Sequence, residues 1–376
     1  MLHALAVFAL VLWLLAFTQT LVNLRLTPRL NADARPRATP KVSIVIPARD
    51  EAHIIERTVR AFLAQDYENF EVIVVDDRST DGTGDIVRRI NDPRLIVVET
   101  PERPAGWLGK TWALQQGAEH ARGELLLFVD ADLIYAPPAI RAAVEYLERS
   151  GSGLIALLPH FEMPTFAEQV AMPMLGFFVF SGMPLWYSNR SRRLGVAIGG
   201  GAGNLIRRDA LDAIGGFGPL KDAVVDDVGL ARLARKHGYD TRAVRADDLL
   251  SVRMYDSARA IVDGFTKNAF FAVGRNFIGG FVLLTLIVIL HLLPYGLAFA
   301  GDWAAIATVI LISLTRIAIF RSVRYPILNA IFLHPLMVSF WFYIFLRSIW
   351  FTGVRRQVRW RGRVYDHEPT PFGSDR

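Results

Sequence analysis

LLLFVDADL, from Leu125 to Leu133, is an apolar run that ends on two carboxylates. Such a run suits a strand buried on both faces. Alternate residues of an extended chain point the same way, so Asp130 and Asp132 converge at the strand's end. The pattern repeats on either side. VSIVI (Val42–Ile46) is followed by Ile54, Ile55, Val59, Phe62 and Leu63 at helical spacing. EVIVV (Glu71–Val75) precedes a short helix over Gly82–Ile90, and LIVV (Leu95–Val98) precedes one over Lys110–Ala121. Beyond Asp132, Pro138–Arg149 opens with proline where a first helical turn tolerates it, and Leu154–Leu158 closes the series. Alternating strands and helices predict an α/β, Rossmann-like fold: a mainly parallel sheet with helices on both faces. Such sheets bind ligands beyond the carboxyl ends of their strands. The polar clusters Pro47–Glu51, Asp76–Asp81 and Asp130–Asp132 all fall there.

The chain has 376 residues, 52% hydrophobic and 21% charged. Soluble domains carry about 25% charged residues, and the apolar excess here gathers at the two ends. Without cysteine, disulfides, iron–sulfur clusters, thiolate zinc sites and a cysteine nucleophile are excluded. The net charge of +6 sits largely beside apolar segments, which points to anionic lipid headgroups as partner and not to nucleic acid.

Ala4–Leu24 is uncharged and long enough to cross a bilayer. Arg25, Arg29, Arg35, Arg37 and Lys41 follow it and mark that flank as cytoplasmic. Phe277–Ala300, Trp303–Phe320 and Ile327–Trp350 are three further apolar stretches. Three crossings place the basic tail (Arg355, Arg356, Arg359, Arg361, Arg363) outside, whereas the charge rule places it inside. A re-entrant Ile327–Trp350, with Pro335 near its middle, would reconcile the two. Phe166–Trp186, rich in Phe and Met and broken by Pro173 and Pro184, reads as an interfacial segment; the alternative is a core helix of the soluble part. The expected organisation is a transmembrane helix over 1–24, a basic linker over 25–40 and a cytoplasmic domain over 41–273 with an interfacial segment near 166–186. A transmembrane region of about three spans over 277–352 and a basic tail over 353–376 complete it. The expected location is the plasma (inner) membrane, multi-pass.

Several residues offer chemistry. Asp130 and Asp132 can hold Mg²⁺ or Mn²⁺ against a diphosphate, since such ions take oxygen ligands and leave room for phosphates. Asp76 and Asp77 can accept from a ring N–H or a ribose hydroxyl, or cap the next helix. Lys110, at a helix start after a loop holding Gly106, Trp107 and Gly109, can face an anion. The run Gly199-Gly-Gly-Ala-Gly-Asn204, which includes Gly201, suits close approach to a ligand or a tight turn. Asp226 and Asp227 precede an amphipathic helix, Val228–His237; Asp227 is either its N-cap or a catalytic carboxylate.

Taken in order, VSIVIPARDE, VVDDRSTDGT, GWLGKTWAL, FVDADL, GGAGNLIRRDAL…GGF and DDVGLARLARKHGY resemble a family 2 glycosyltransferase with the GT-A fold, over about Val42 to Gly238. The resemblance implies that Pro47, Glu51 and Asp77 hold nucleobase and ribose and that Asp130 and Asp132 bind the metal–diphosphate. It also implies that Lys110 contacts the donor and that Asp227 is the acceptor's base. GW-x-GK-x-WA with the terminal apolar segments is similar to the lipid-modifying membrane branch, nearest to hopene-associated enzymes. Asp226 stands where that family usually has Glu. The QxxRW motif of processive synthases is missing before the first C-terminal span, and RRQVRW (Arg355–Trp360) has different spacing. Lys267 or Arg253 could supply that cationic contact, with Gly201, Asn204 and Asp226 on the acceptor side. The implied activity is inverting transfer of one sugar from a nucleotide diphosphate sugar to the hydroxyl of a membrane lipid, a hopanoid, carotenoid or other glycolipid acceptor. Alternatives are a polyprenyl-phosphate glycosyltransferase and a non-catalytic, membrane-anchored nucleotide-sugar-binding protein.

Overall fold

The computed structural model describes residues 1–274, 276–355, 359–360 and 363–364. The chain divides into two compact units. One comprises Thr27–Glu162 and Tyr187–Met254, and the other begins with Met1–Leu26 and Met163–Trp186 and continues from Tyr255.

The first unit is built on ten strands: β1 Val42–Ala48, β2 Phe70–Asp76, β3 Leu95–Glu99, β4 Leu125–Phe128, β5 Leu133–Tyr135, β6 Leu154–Leu158, β7 His160–Phe161, β8 Asn204–Arg207, β9 Thr241–Arg245 and β10 Leu250–Val252. Its longer helices are α1 Ile55–Leu63, α2 Thr83–Arg88, α3 Gly109–His120, α4 Ala139–Ser150, α5 Arg208–Ile214 and α6 Asp226–Lys236. The main sheet runs β3-β2-β1-β4-β8-β6-β9, and a small one runs β5-β10-β7. The period of two sorts the core. Val42, Ile44 and Ile46 pack in one cluster with Ile55, Val59 and Phe62 of α1, while Val45 packs in another with Ala113 and Leu114 of α3. A side chain at Gly117 of α3 would run into Val45, so glycine lets that helix lie close on the sheet.

Strand order places the reversal of direction between β1 and β4: the chain adds β2 and β3 on one side of β1 and β4 on the other. That is where open α/β sheets bind ligands. The sheet is parallel as expected, with one exception. β8 runs antiparallel to both β4 and β6. Four residues behind a glycine run give no readable strand period, so the sequence reading leaves Asn204–Arg207 unassigned.

In the second unit, Leu2–Leu26, Phe277–Phe299, Trp303–Val323 and His334–Val354 are long and apolar enough to cross a membrane. The last begins seven residues later than the expected Ile327, because Pro335 occupies a first turn and a separate helix, Ile327–Phe332, precedes it. Arg316 interrupts the apolar stretch before them for a reason. It is fully buried, and its guanidinium donates to the carbonyls of Ala330 (2.7 Å) and Asn329 (3.1 Å). Segment 163–186 packs within this unit. Asn23 Nδ2 donates to the carbonyls of Phe180 and Met183, and Trp341 Nε1 donates to that of Ala171.

Buried Glu71 ties β1, β2 and the turn before β4. It accepts from Ser43 Oγ (2.6 Å) and the Arg122 N–H (2.7 Å), and pairs with Lys41 Nζ (2.6 Å). Burial opposes its charge, but Lys41, Ser43 and the Arg122 amide overcome this and hold its carboxyl below the usual range. A lowered folded-state pKa contributes stability above the unfolded value and loses it as pH falls through the folded one. Glu71→Gln should therefore cost about 1.5–3 kcal/mol near neutral pH. Thermal unfolding of the full chain should show the gap between wild type and variant closing below about pH 4.

Candidate active site

One part of the rim is made by the ends of β1 and β2. Pro47 pairs in register with Val75, and Ala48 with Asp76. Asp76 and Asp77 are both buried. Asp76 accepts from the Ser79 N–H (3.0 Å), and a side chain at Gly84 would strike its carboxylate. Asp77 accepts from Arg49 Nη1 (3.3 Å) and Thr100 Oγ1 (3.3 Å). The Glu51 N–H donates to Thr83 Oγ1. Asp50 and Arg78 adopt positive φ (53° and 55°), the left-handed conformation that costs a non-glycine residue. Asp50 offsets that cost by accepting from the Thr80 N–H (2.8 Å).

One strand further along, the charged centre assembles. Lys110, at the start of α3, reaches Asp130 Oδ1 (2.8 Å) beyond β4 and Asp226 Oδ1 (3.2 Å) at the start of α6. Burial works against an ammonium there, yet the charges of Asp130, Asp226 and Asp227 hold Lys110 well above the ordinary lysine range. Asp226 is pushed up to about 6 by burial, against the pull of Lys110 and with the repulsion of Asp227 and Asp130. Burial also raises Asp227, again against Lys110. Asp132 is pushed up to about 7 by burial and by the negative charges of Asp130 and Glu51. That repulsion brings Glu51, from the end of β1, electrically into the same centre.

Gly201 and Asn204 also belong here. A side chain at Gly201 would strike the Asp130 carboxylate, and one at Gly199 the Asp227 carbonyl. Asn204 Nδ2 lies 3.5 Å from that carbonyl. Asp226 and Asp227 form the first turn of α6 and do not precede it, and the Asp227 carboxylate accepts from the Val228 N–H (2.7 Å). The side chain of Lys267 and most of the Arg355–Trp360 string lie outside the described residues. Arg49, Thr100 and Tyr135 were not singled out in the sequence. Alternation from Asp132 through Leu133 and Ile134 carries no polar signal that flags Tyr135.

Among the described residues, no three His, Cys, Asp or Glu side chains could cage a metal ion by themselves. Asp130 and Asp132 nevertheless fit one. Their mutual repulsion would be relieved by a divalent cation, whose shell diphosphate and water would complete.

Residues 43–215 match the family model described as Glycosyl transferase family 2. The 4,4'-diaponeurosporenoate glycosyltransferase of Staphylococcus aureus (strain MRSA252) is 24% identical over 339 residues, covering 86% of this chain and 88% of that protein. The protein of the same name from Staphylococcus haemolyticus (strain JCSC1435) is also 24% identical, over 63% of each chain. The solved mannosyltransferase PcManGT from Pyrobaculum calidifontis, in complex with GDP-Man and Mn²⁺, superposes with a TM-score of 0.57 at 22% identity. The match covers 94% of this chain and 99% of that one. At that identity the likeness shows the fold.

Lys110→Met should leave buried Asp226 without its cation, at a cost of about 3 kcal/mol. Adding Asp226→Asn should return part of the loss. Thermal unfolding of both full-length variants against Asp226→Asn alone checks the coupling.

Proposed function

We propose that the chain, whose residues 43–215 match the family model described as Glycosyl transferase family 2, moves a single sugar from a nucleotide diphosphate sugar to the hydroxyl of a membrane lipid. The observation that carries this reading is the convergence of Lys110, Asp130 and Asp226 at the sheet's reversal point, with Asp227 beside them. The relatives named for a carotenoid-type acid support a lipid-like acceptor, and the four apolar helices support work at a bilayer. The basic flank Arg25–Lys41 favours a multi-pass inner-membrane protein with its soluble unit in the cytoplasm.

In this reading Pro47, Glu51, Asp76 and Asp77 hold the nucleoside. Lys110 turns its ammonium toward the diphosphate. Asp130 and Asp132 hold Mg²⁺ or Mn²⁺, which would neutralise charge on the departing diphosphate. Asp227 takes the proton from the acceptor hydroxyl, and burial makes it a stronger base than an exposed aspartate. Attack from the face opposite the leaving group inverts the anomeric carbon. Gly201, Asn204 and Asp226 line the acceptor side. The family's hopanoid-type acceptors remain within this class.

A second reading follows from the relatives' name. Diaponeurosporenoate is named as a carboxylate, and an acceptor already ionised needs no strong base. The same holds for a polyprenyl phosphate.

Purified protein incubated with Mn²⁺, a panel of sugar nucleotides and lipid extract should yield one glycolipid mass. Absence of any new glycolipid across the panel counts against the activity. Asp227→Asn should slow single-turnover transfer by about 10²–10⁴ while donor affinity changes little. Transfer that survives this change moves the acceptor to the carboxylate or phosphate class. Asp132→Asn should abolish the gain in donor affinity that Mn²⁺ gives the wild type, read by calorimetric titration with and without the ion. Equal wild-type affinities in the two conditions would sink the metal assignment.

A further inference from the structure

Asp130 and Asp227 lie far apart in sequence, and the run Gly199–Gly203 threads between them. It touches both. The Asp130 N–H donates to the Gly201 carbonyl (2.9 Å), and Gly199 lies against the Asp227 carbonyl so closely that a side chain there has no room. The run then enters the sheet, where the Leu157 N–H donates to the Gly203 carbonyl (2.8 Å). Four glycines in five residues leave the run a wide choice of backbone conformations. The run is thus in contact with both aspartates, and its placement bears on their spacing.

Tyr135 supplies a tether. Its hydroxyl donates to the Ala202 carbonyl (2.6 Å), and its ring is buried and packs on Phe62 at 4.6 Å. A side chain at Gly203 would strike the Tyr135 hydroxyl, so that glycine is what lets the loop come within its reach. The ring is held in β5, which is itself paired with β10. The hydroxyl therefore projects from a fixed strand onto the centre of the loop.

We propose that Tyr135 is a positioning residue for the transfer reaction: through Ala202 its hydroxyl sets the separation of Asp130 from Asp227. This rests on the glycosyl-transfer reading above. The bland alternative is a buried tyrosine that merely satisfies its hydroxyl. The two differ in what the hydroxyl's loss does. A filler costs stability alone. A tether lets the loop drift, and a drift of about 1 Å between reacting groups can cost 10²-fold in rate.

Tyr135→Phe keeps the ring and removes the tether. The full-length protein is compared with wild type in two ways. Hydrogen exchange is followed at residues 199–204 and at the Asp130 amide. Single-turnover transfer is measured beside the affinity for UDP–Mn²⁺ and GDP–Mn²⁺. The expected result is faster exchange at both places and a transfer rate lowered about 10- to 100-fold, with nucleotide affinity within threefold of wild type. Unchanged exchange overturns the proposal, as does an unchanged rate in an active enzyme. A rate that falls only in step with nucleotide affinity also overturns it, because Tyr135 would then serve the donor site. If wild type transfers no sugar to any lipid, the glycosyl-transfer reading fails, and exchange alone decides whether Tyr135 pins the loop.

Discussion

One ammonium holds the charged centre together. Lys110 reaches carboxylates from two other parts of the chain, Asp130 beyond β4 and Asp226 at the head of α6. Asp226 has no cheap alternative, since burial and the repulsion of Asp227 and Asp130 raise it, whereas Asp130, 42% exposed, keeps partial access to water. A buried charge left unpaired is costly, so Lys110 and Asp226 hold the helix starts of α3 and α6 together, and Asp130 adds the end of β4 as a part-exposed third partner. The sheet order follows the same logic, because it brings those three termini to one edge.

Much of this was legible in the sequence. The short β-branched runs VSIVI and EVIVV and the unbroken LLLFV marked strands, and the core sorts their side chains onto the two faces of the sheet. Acidic residues at strand ends identified the edge, because a carboxylate directly after an apolar strand has nowhere to go but the sheet's rim. The reversed strand β8 was not legible. Its four residues are stabilised by neighbours on both sides, β4 and β6, and that pairing leaves no local mark. Pro335 was visible, but its effect was not: it opens a helix and does not interrupt one.

The site shows the same division. Residue types announced chemistry, and tertiary contacts assigned partners. The sequence shows a lysine at a helix start. It does not show that this lysine pairs with Asp226 more than a hundred positions later, a separation evident from the numbering alone. Tyr135 lies among apolar neighbours and becomes distinctive through the loop it touches. Arg316 likewise looked like a blemish in a membrane segment until its two carbonyl partners accounted for it.

The late place of β8 in the chain, between β4 and β6 in the sheet, also bears on the order in which the sheet can close during synthesis. Strands β1 to β4 carry the rim with Asp76, Asp77 and Asp130 and are complete by Phe128. The partner of β4 on its other side is β8, which emerges only with residues 204–207, while β6 has no place beside β4 without it. From Phe128 to Asn204 the half-sheet β3-β2-β1-β4 has open borders at β3 and at β4, and the one at β4, which β8 later covers, is the kind of edge that recruits wrong strands. The glycine run arrives just ahead of the strand that closes this border. The last piece of backbone to enter the sheet between β4 and β6 therefore follows directly on the run that touches Asp130 and Asp227, so errors in chain growth over this stretch fall on the charged centre before they fall on the rim formed by β1 and β2.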